Sequence, residues 1–175
     1  GKPRRRVDGR AKVTGQTVFA DDIVLPRMLH TKLLRSPHPH ADIERIDTTR
    51  AARHPGVHLV LTGADIPNEY GILPVSQDEQ ALRTDRVRFV GDPVAAVIAK
   101  DEFTATEALE LIDVSYNPLP TIANPEEALS QGEVRLHDYS EEGNIHKRLA
   151  YSFGDVDEAL ESADRVFEDC FFYEG

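Results

Sequence analysis

Apolar residues along most of this chain fall in short alternating or unbroken runs, the pattern of strands, and helical spacing is confined to a few segments. Residues 28–36 (MLHTKLLRS) and 41–47 (ADIERID) read as strands on either side of a Pro-His-Pro-His bend. Pro37 and Pro39 remove two backbone donors there and bias Ser36 and His38 toward extended or turn geometry. Residues 48–54 predict a short helical turn stopped by Pro55, and 56–63 a β-rich run closed by glycine. Residues 66–85, with Pro67, Gly71 and Pro74, read as loop. The strongest core signal is in residues 86–100 (RVRFVGDPVAAVIAK). Arg86 and Arg88 point outward and Val87 and Phe89 inward, Gly91-Asp92-Pro93 breaks the run, and 94–99 continues without a charge, as a strand buried on both faces does.

Residues 101–114 predict a helix, because Ala105, Ala108, Leu109 and Ile112 share one face and Asp101 can cap the first turn. Strand character returns at 114–116 before Pro118 and Pro120. Residues 94–116 therefore form a strand-helix-strand unit whose strands pair in parallel if the crossover is right-handed. The stretch NPEEALSQG predicts a short helix with Pro125 at its first position and Gly132 past its end, and the polar residues 137–147 read as loop. A last unit follows: a strand at 149–153, a helix at 156–163, and a long strand from Arg165 onward. Asp155 and Glu158 there resemble a capping box, and Val156, Ala159, Leu160 and Ala163 make a stripe expected to be buried. An aromatic strand with no closing element after it is the expectation for a piece of something larger.

Composition narrows the class. A chain of 175 residues with 40% hydrophobic and 29% charged content is long enough for a real core and is not that of a disordered segment. A net charge of −11 argues against a general nucleic-acid binder. Lys2, Arg4, Arg5, Arg6, Arg10 and Lys12 nevertheless crowd the start of an irregular arm, residues 1–27, which is expected to lie on an acidic surface. No apolar run approaches the roughly 20 residues of a membrane span, and no charged start leads into an apolar signal segment, so a cytoplasmic location is expected. Cys170 is the only cysteine, which excludes an internal disulfide and a thiolate cluster; its aromatic neighbours predict a core-facing strand position.

His38, His40 and Asp42 are the residues that most invite a chemical reading. Side chains two apart share a face of an extended segment, so the three can be metal ligands, yet the flanking prolines favour a strand ending in a bend. Elsewhere no phosphate loop, nucleophile elbow or His-Glu-x-x-His motif occurs. TGAD at 62–65 is too short to cradle phosphate and reads as a turn, and Asp21-Asp22 and Glu126-Glu127 read as solvent-facing acids. Residue patterns alone reach an α+β domain. They leave open a stand-alone module that binds partners by strand addition, and a small metal hydrolase using His38, His40 and Asp42.

Ordered blocks of the chain carry more. RVDGRAKVTGQTVFADDIVLPRMLHTKLLRSPHPHADIERIDTTRA, PGVHLVLTGADIP, DRVRFVGDPVAAVIA and GDVDEALESADRVFED resemble the first domain of the molybdenum hydroxylase large subunit, the group of xanthine dehydrogenase and aldehyde oxidase. EGNIHKRLAYSFGDVDEAL and the FFYEG ending are most similar to the alpha subunit of 4-hydroxybenzoyl-CoA reductase, which dehydroxylates an aromatic acyl-CoA reductively. The resemblance implies an α/β hammerhead with a mixed sheet flanked by short helices, spanning 28–135 after the arm. Residues 136–175 would then be a linker and the start of the molybdopterin-binding region. It implies molybdopterin, in the cytosine dinucleotide form, in the rest of the subunit, with 2Fe-2S and FAD on partner subunits or domains of an oligomeric holoenzyme. It places no catalytic, cofactor-binding or metal-ligating residue in these 175 positions. Arg35, Ser36, Pro37, His40 and Ala41 match the family's Arg-Ser-Pro-x-Ala-His-Ala backbone motif, while Pro39 departs from its alanine. Asp42 stands where a basic residue is common, and Asp92 replaces the commoner glutamate.

Overall fold

The computed structural model describes residues 1–72, 78–130, 133–138 and 140–173. Pro74 and Gly132 lie outside the described residues. The chain divides into two units, Gly1–Asn124 and Pro125–Gly175.

In the first unit, a short helix α1 (Gly9–Val13) is followed by strands β1 (His30–Arg35) and β2 (Ala41–Asp47), helix α2 (Thr49–Ala52) and strand β3 (Val57–Thr62). Two-residue strands β4 (Glu69–Tyr70), β5 (Glu79–Gln80) and β6 (Arg86–Val87) lead to β7 (Pro93–Ala99), helix α3 (Glu102–Leu109) and β8 (Asp113–Pro118). The architecture is α+β, with short helices beside small sheets. One sheet has the order β1-β7-β3, a second β6-β2-β8, and β4 pairs with β5. Every pairing among the described strands is antiparallel. The parallel partnership expected of 94–99 with 114–116 is therefore not made: both edges of β7 are taken by β1 and β3, and β8 pairs with β2 instead.

The core lies where α3 covers the first sheet. Ala95, Val97 and Ala99 of β7 meet Ala105, Ala108 and Ile112, with Ala51 of α2 completing the cluster. Alanine on both sides lets a helix backbone approach a sheet closely while leaving few voids. Asp101 accepts from Thr104 N at 2.7 Å and so satisfies a free first-turn amide. A second cluster, Ala41, Val87 and Val94, is flanked by Ile46 and Val114, which also border the first. Phe89, inward by strict alternation, is instead 51% exposed, because the ladder of β6 ends at Val87 and the alternation ends with it. At TGAD, Gly63–Asp65 is a 3-10 turn in which Asp65 accepts from Thr62 N at 2.8 Å.

The second unit keeps its helices and loses its strands. Helices α4 (Pro125–Ser130) and α5 (Val156–Glu161) form, the latter capped by Asp155 on Glu158 N. Residues 149–153 and 165–173 are in no strand, and Phe153, Phe167, Phe171 and Phe172 are exposed. The stripe of α5 is exposed too, and Cys170 is solvent-facing rather than core-facing. Strand propensity needs a ladder partner, and these residues have none among the described ones. No helix among the described residues is long and apolar enough to cross a membrane.

Candidate functional site at the crossing between the sheets

Two of the chain's passages between the two large sheets run side by side: residues 36–40 lead from β1 to β2, and residues 88–92 from β6 to β7. Backbone hydrogen bonds tie the crossings together. Ser36 N donates to Asp92 O at 2.9 Å, and Gly91 N donates to Ser36 O at 2.8 Å. Arg35 Nη1 also donates to Gly91 O at 2.8 Å. Gly91 has φ +98°, a backbone conformation that side chains other than hydrogen strain, so the turn between β6 and β7 requires glycine. The Ser36 hydroxyl accepts from His38 N and donates to His38 O, both at 3.0 Å, which fixes the bend from within.

The three residues singled out by spacing have three different partners. His40 is 3% exposed, and its Nδ1 lies 2.8 Å from Pro120 O. A carbonyl only accepts, so Nδ1 carries the proton; Leu119 N returns a bond to His40 O at 2.9 Å. His40 thus staples the start of β2 to the chain just after β8. His38 packs edge-on against Tyr116, ring centroids 4.9 Å apart. Asp42 takes the Arg86 guanidinium at 2.6 Å. The trio does not converge on a point, and no group of three His, Cys, Asp or Glu among the described residues is placed to hold a metal ion. That geometry removes the support for the metal-hydrolase reading.

A residue pair that spacing did not single out lies beside them. Asp92, 1% exposed, accepts from Arg83 Nε at 2.9 and 3.0 Å and from Arg88 N at 3.0 Å. Arg83 N in turn donates to Pro93 O at 2.8 Å. An acid followed by proline in an otherwise apolar run is the signal the sequence carries for it; its arginine partner nine positions upstream has none. Burial pushes the Tyr116 phenol up, a hydrogen bond with Ser36 opposes this, and the Asp92 charge adds to the rise. Two donors hold this carboxylate: the Arg83 Nε–H, shared between both oxygens, and the Arg88 amide. What the arrangement does is lock one sheet against the other.

Residues 14–120 match the family model for the aldehyde oxidase and xanthine dehydrogenase a/b hammerhead domain. This chain belongs to that family. The chain is 46% identical over 173 residues to a probable xanthine dehydrogenase subunit of Bacillus subtilis, covering 97% of this chain and 23% of that protein. It is 37% identical to the nicotinate dehydrogenase large molybdopterin subunit of Eubacterium barkeri, covering 98% of this chain and 40% of the relative. The crystal structure of quinoline 2-oxidoreductase from Pseudomonas putida 86 superposes with a TM-score of 0.70 at 37% identity, over 81% of this chain and 19% of that one. The chain thus spans about a quarter of the first relative's length. The first relative is a probable xanthine dehydrogenase subunit and the second a large molybdopterin subunit, and this chain corresponds to a hammerhead-bearing part of them.

Proposed function

We propose that this hammerhead is the scaffold and docking domain of a molybdenum-dependent hydroxylase large subunit of the xanthine dehydrogenase and aldehyde oxidase type, and performs no chemistry itself. The family match over residues 14–120 carries this reading, supported by relatives of which the chain covers only a part. The donor set here does not fit a molybdopterin: His40 turns Nδ1 to Pro120 and buries its Nε2, Asp42 is paired with Arg86 and Asp92 with Arg83. In this reading the cofactor, as the cytosine dinucleotide, sits in the rest of the subunit, with 2Fe-2S and FAD on partner subunits of a cytoplasmic oligomer. The domain contributes rigidity, which matters because positional catalysis fails when a framework shifts by about 1 Å.

The test compares residues 1–175 with the full-length subunit, its sequence taken from the adjoining coding region. Metal analysis is expected to find molybdenum and substrate oxidation only in the latter. Turnover by the 175-residue chain, or a full-length subunit without molybdenum, would overturn the reading. A second reading, reductive dehydroxylation as in 4-hydroxybenzoyl-CoA reductase, is favoured by EGNIHKRLAYSFGDVDEAL and the FFYEG ending. The 46% identity to a probable xanthine dehydrogenase chain supports the hydroxylase instead. Assaying the holoenzyme with 4-hydroxybenzoyl-CoA and with purine or N-heterocyclic substrates separates the two.

A further inference from the structure

The arm before β1 holds cations that the other described residues leave unanswered. Arg6 and Lys12 both close on Asp8, Arg6 Nε at 3.1 Å and Lys12 Nζ at 2.7 Å. The side chains of Lys2, Arg4, Arg5 and Arg10 have no ion pair or hydrogen bond among the described residues. The expectation that the arm lies on an acidic surface is not met among the described residues for those four. Apolar side chains accompany them: Val18, Phe19, Val24 and Leu25 are exposed.

A segment both cationic and apolar suits a protein interface, where arginine is enriched around an apolar centre. It suits a nucleic acid less, because beyond residue 12 the chain has fourteen cations against thirty carboxylates and repels a polyanion. A membrane surface calls for an amphipathic helix of several turns, and α1 has five residues. Three of the four free cations are arginines, whose planar fork pairs with carboxylates through two bonds at once. We propose that the arm, through Lys2, Arg4, Arg5 and Arg10, docks on an acidic protein surface carried by a partner subunit of the same enzyme. This rests on the multi-subunit reading given above.

The experiment uses the full-length large subunit with its partner subunits, comparing the parent with Lys2→Glu/Arg4→Glu/Arg5→Glu/Arg10→Glu. Arg6, Asp8 and Lys12 stay intact, and thermal unfolding confirms that the variant folds. Association is measured at roughly 50 and 300 mM salt, across which screening of exposed charges rises steeply. The affinity is expected to fall about ten- to a hundredfold at low salt, with the parent's salt dependence largely lost. The control Arg4→Lys/Arg5→Lys/Arg10→Lys should retain most of the affinity. Unchanged association of the charge-reversed variant overturns the proposal. So does a loss confined to binding of phosphatidylcholine and phosphatidylglycerol vesicles, which would make the arm a membrane strap. Metal content read on the same preparations separates the two ideas. A subunit without molybdenum sinks the functional reading, a loaded complex whose assembly ignores the four charges sinks only this one, and a subunit with no partner sinks both.

Discussion

Removing either member of the Asp92–Arg83 pair should be among the costliest single changes in this chain. Asp92→Ala strips Arg83 Nε of both carboxylate contacts and leaves Arg88 N without its acceptor, in a place where the acid is 1% exposed. Bonds to a charged group contribute about 1.5–3 kcal/mol each, and breaking a buried pair by deleting one partner costs about 3–5 kcal/mol. Arg83 is 12% exposed and reaches some water, so the lower half of that range, about 3–4 kcal/mol, is expected for Asp92→Ala. Arg83→Met should cost at least as much, because the carboxylate it abandons is the more buried of the two and is left with the Arg88 N bond. Replacing both, Asp92→Leu with Arg83→Met, removes the orphaned charge and should cost less than either single change. Urea unfolding followed by circular dichroism, read as a shift of midpoint at constant slope, gives all three values. Single variants within about 1 kcal/mol of the parent, or a double variant equal to the sum of the singles, would refute the reasoning.

Other outcomes follow from other contacts. Gly63→Ala would put a methyl carbon 2.6 Å from Thr84 Cγ2 and 2.7 and 2.8 Å from the carbonyl oxygens of Leu82 and Arg83. Two of those neighbours are backbone, so a loss of about 1–3 kcal/mol is expected by urea unfolding, whereas Gly9→Ala, at ordinary contact, should change little. Val97→Ala deletes two methyl groups from a fully buried site and should cost about 2–3 kcal/mol, measured the same way. The Thr104 amide holds the Asp101 carboxyl below the ordinary carboxylate range. Its stabilising contribution is therefore present above that range and lost as pH falls through the depressed value. Asp101→Ala should lower Tm at neutral pH, with the gap to the parent closing below about pH 4; a gap constant with pH would refute this.

Strand and helix identity is legible where local pattern and burial agree. Residues 94–99 carry no charge and become the central strand β7, and Asp101 followed by Ala105 and Ala108 becomes a capped helix lying on it. Partner choice is not legible, since it depends on how distant segments pack together. The strand-helix-strand stretch suggests a parallel pair, but β1 and β3 occupy β7 on both sides and leave β8 to β2. Aromatic strand propensity after Arg165 misleads for the same reason, because propensity measures fit to a half-buried pleated surface that those residues do not have here.

The candidate site divides along similar lines. His38, His40 and Asp42 would share a face in a continuous strand, but β2 begins only at Ala41, so the two histidines belong to the bend and turn to different neighbours. The Arg-Ser-Pro-His-Pro-His string encodes geometry: Ser36 closes the bend on His38, its backbone binds the second crossing at Gly91 and Asp92, and His40 pins Pro120. Asp92 joins this lock through Arg83, which follows the β4–β5 pair, so three separate stretches of sequence meet at one carboxylate or its backbone. Two antiparallel sheets linked by apolar contact alone can slide, since such contacts have little directional preference. A paired buried charge fixes their relation, because any displacement exposes an unpaired ion to a low-dielectric interior. If that is the use of the pair, Asp92→Leu with Arg83→Met should keep most of the stability yet speed amide hydrogen exchange at residues 36–40 and 88–92. Unchanged exchange there would mean that the backbone bonds suffice.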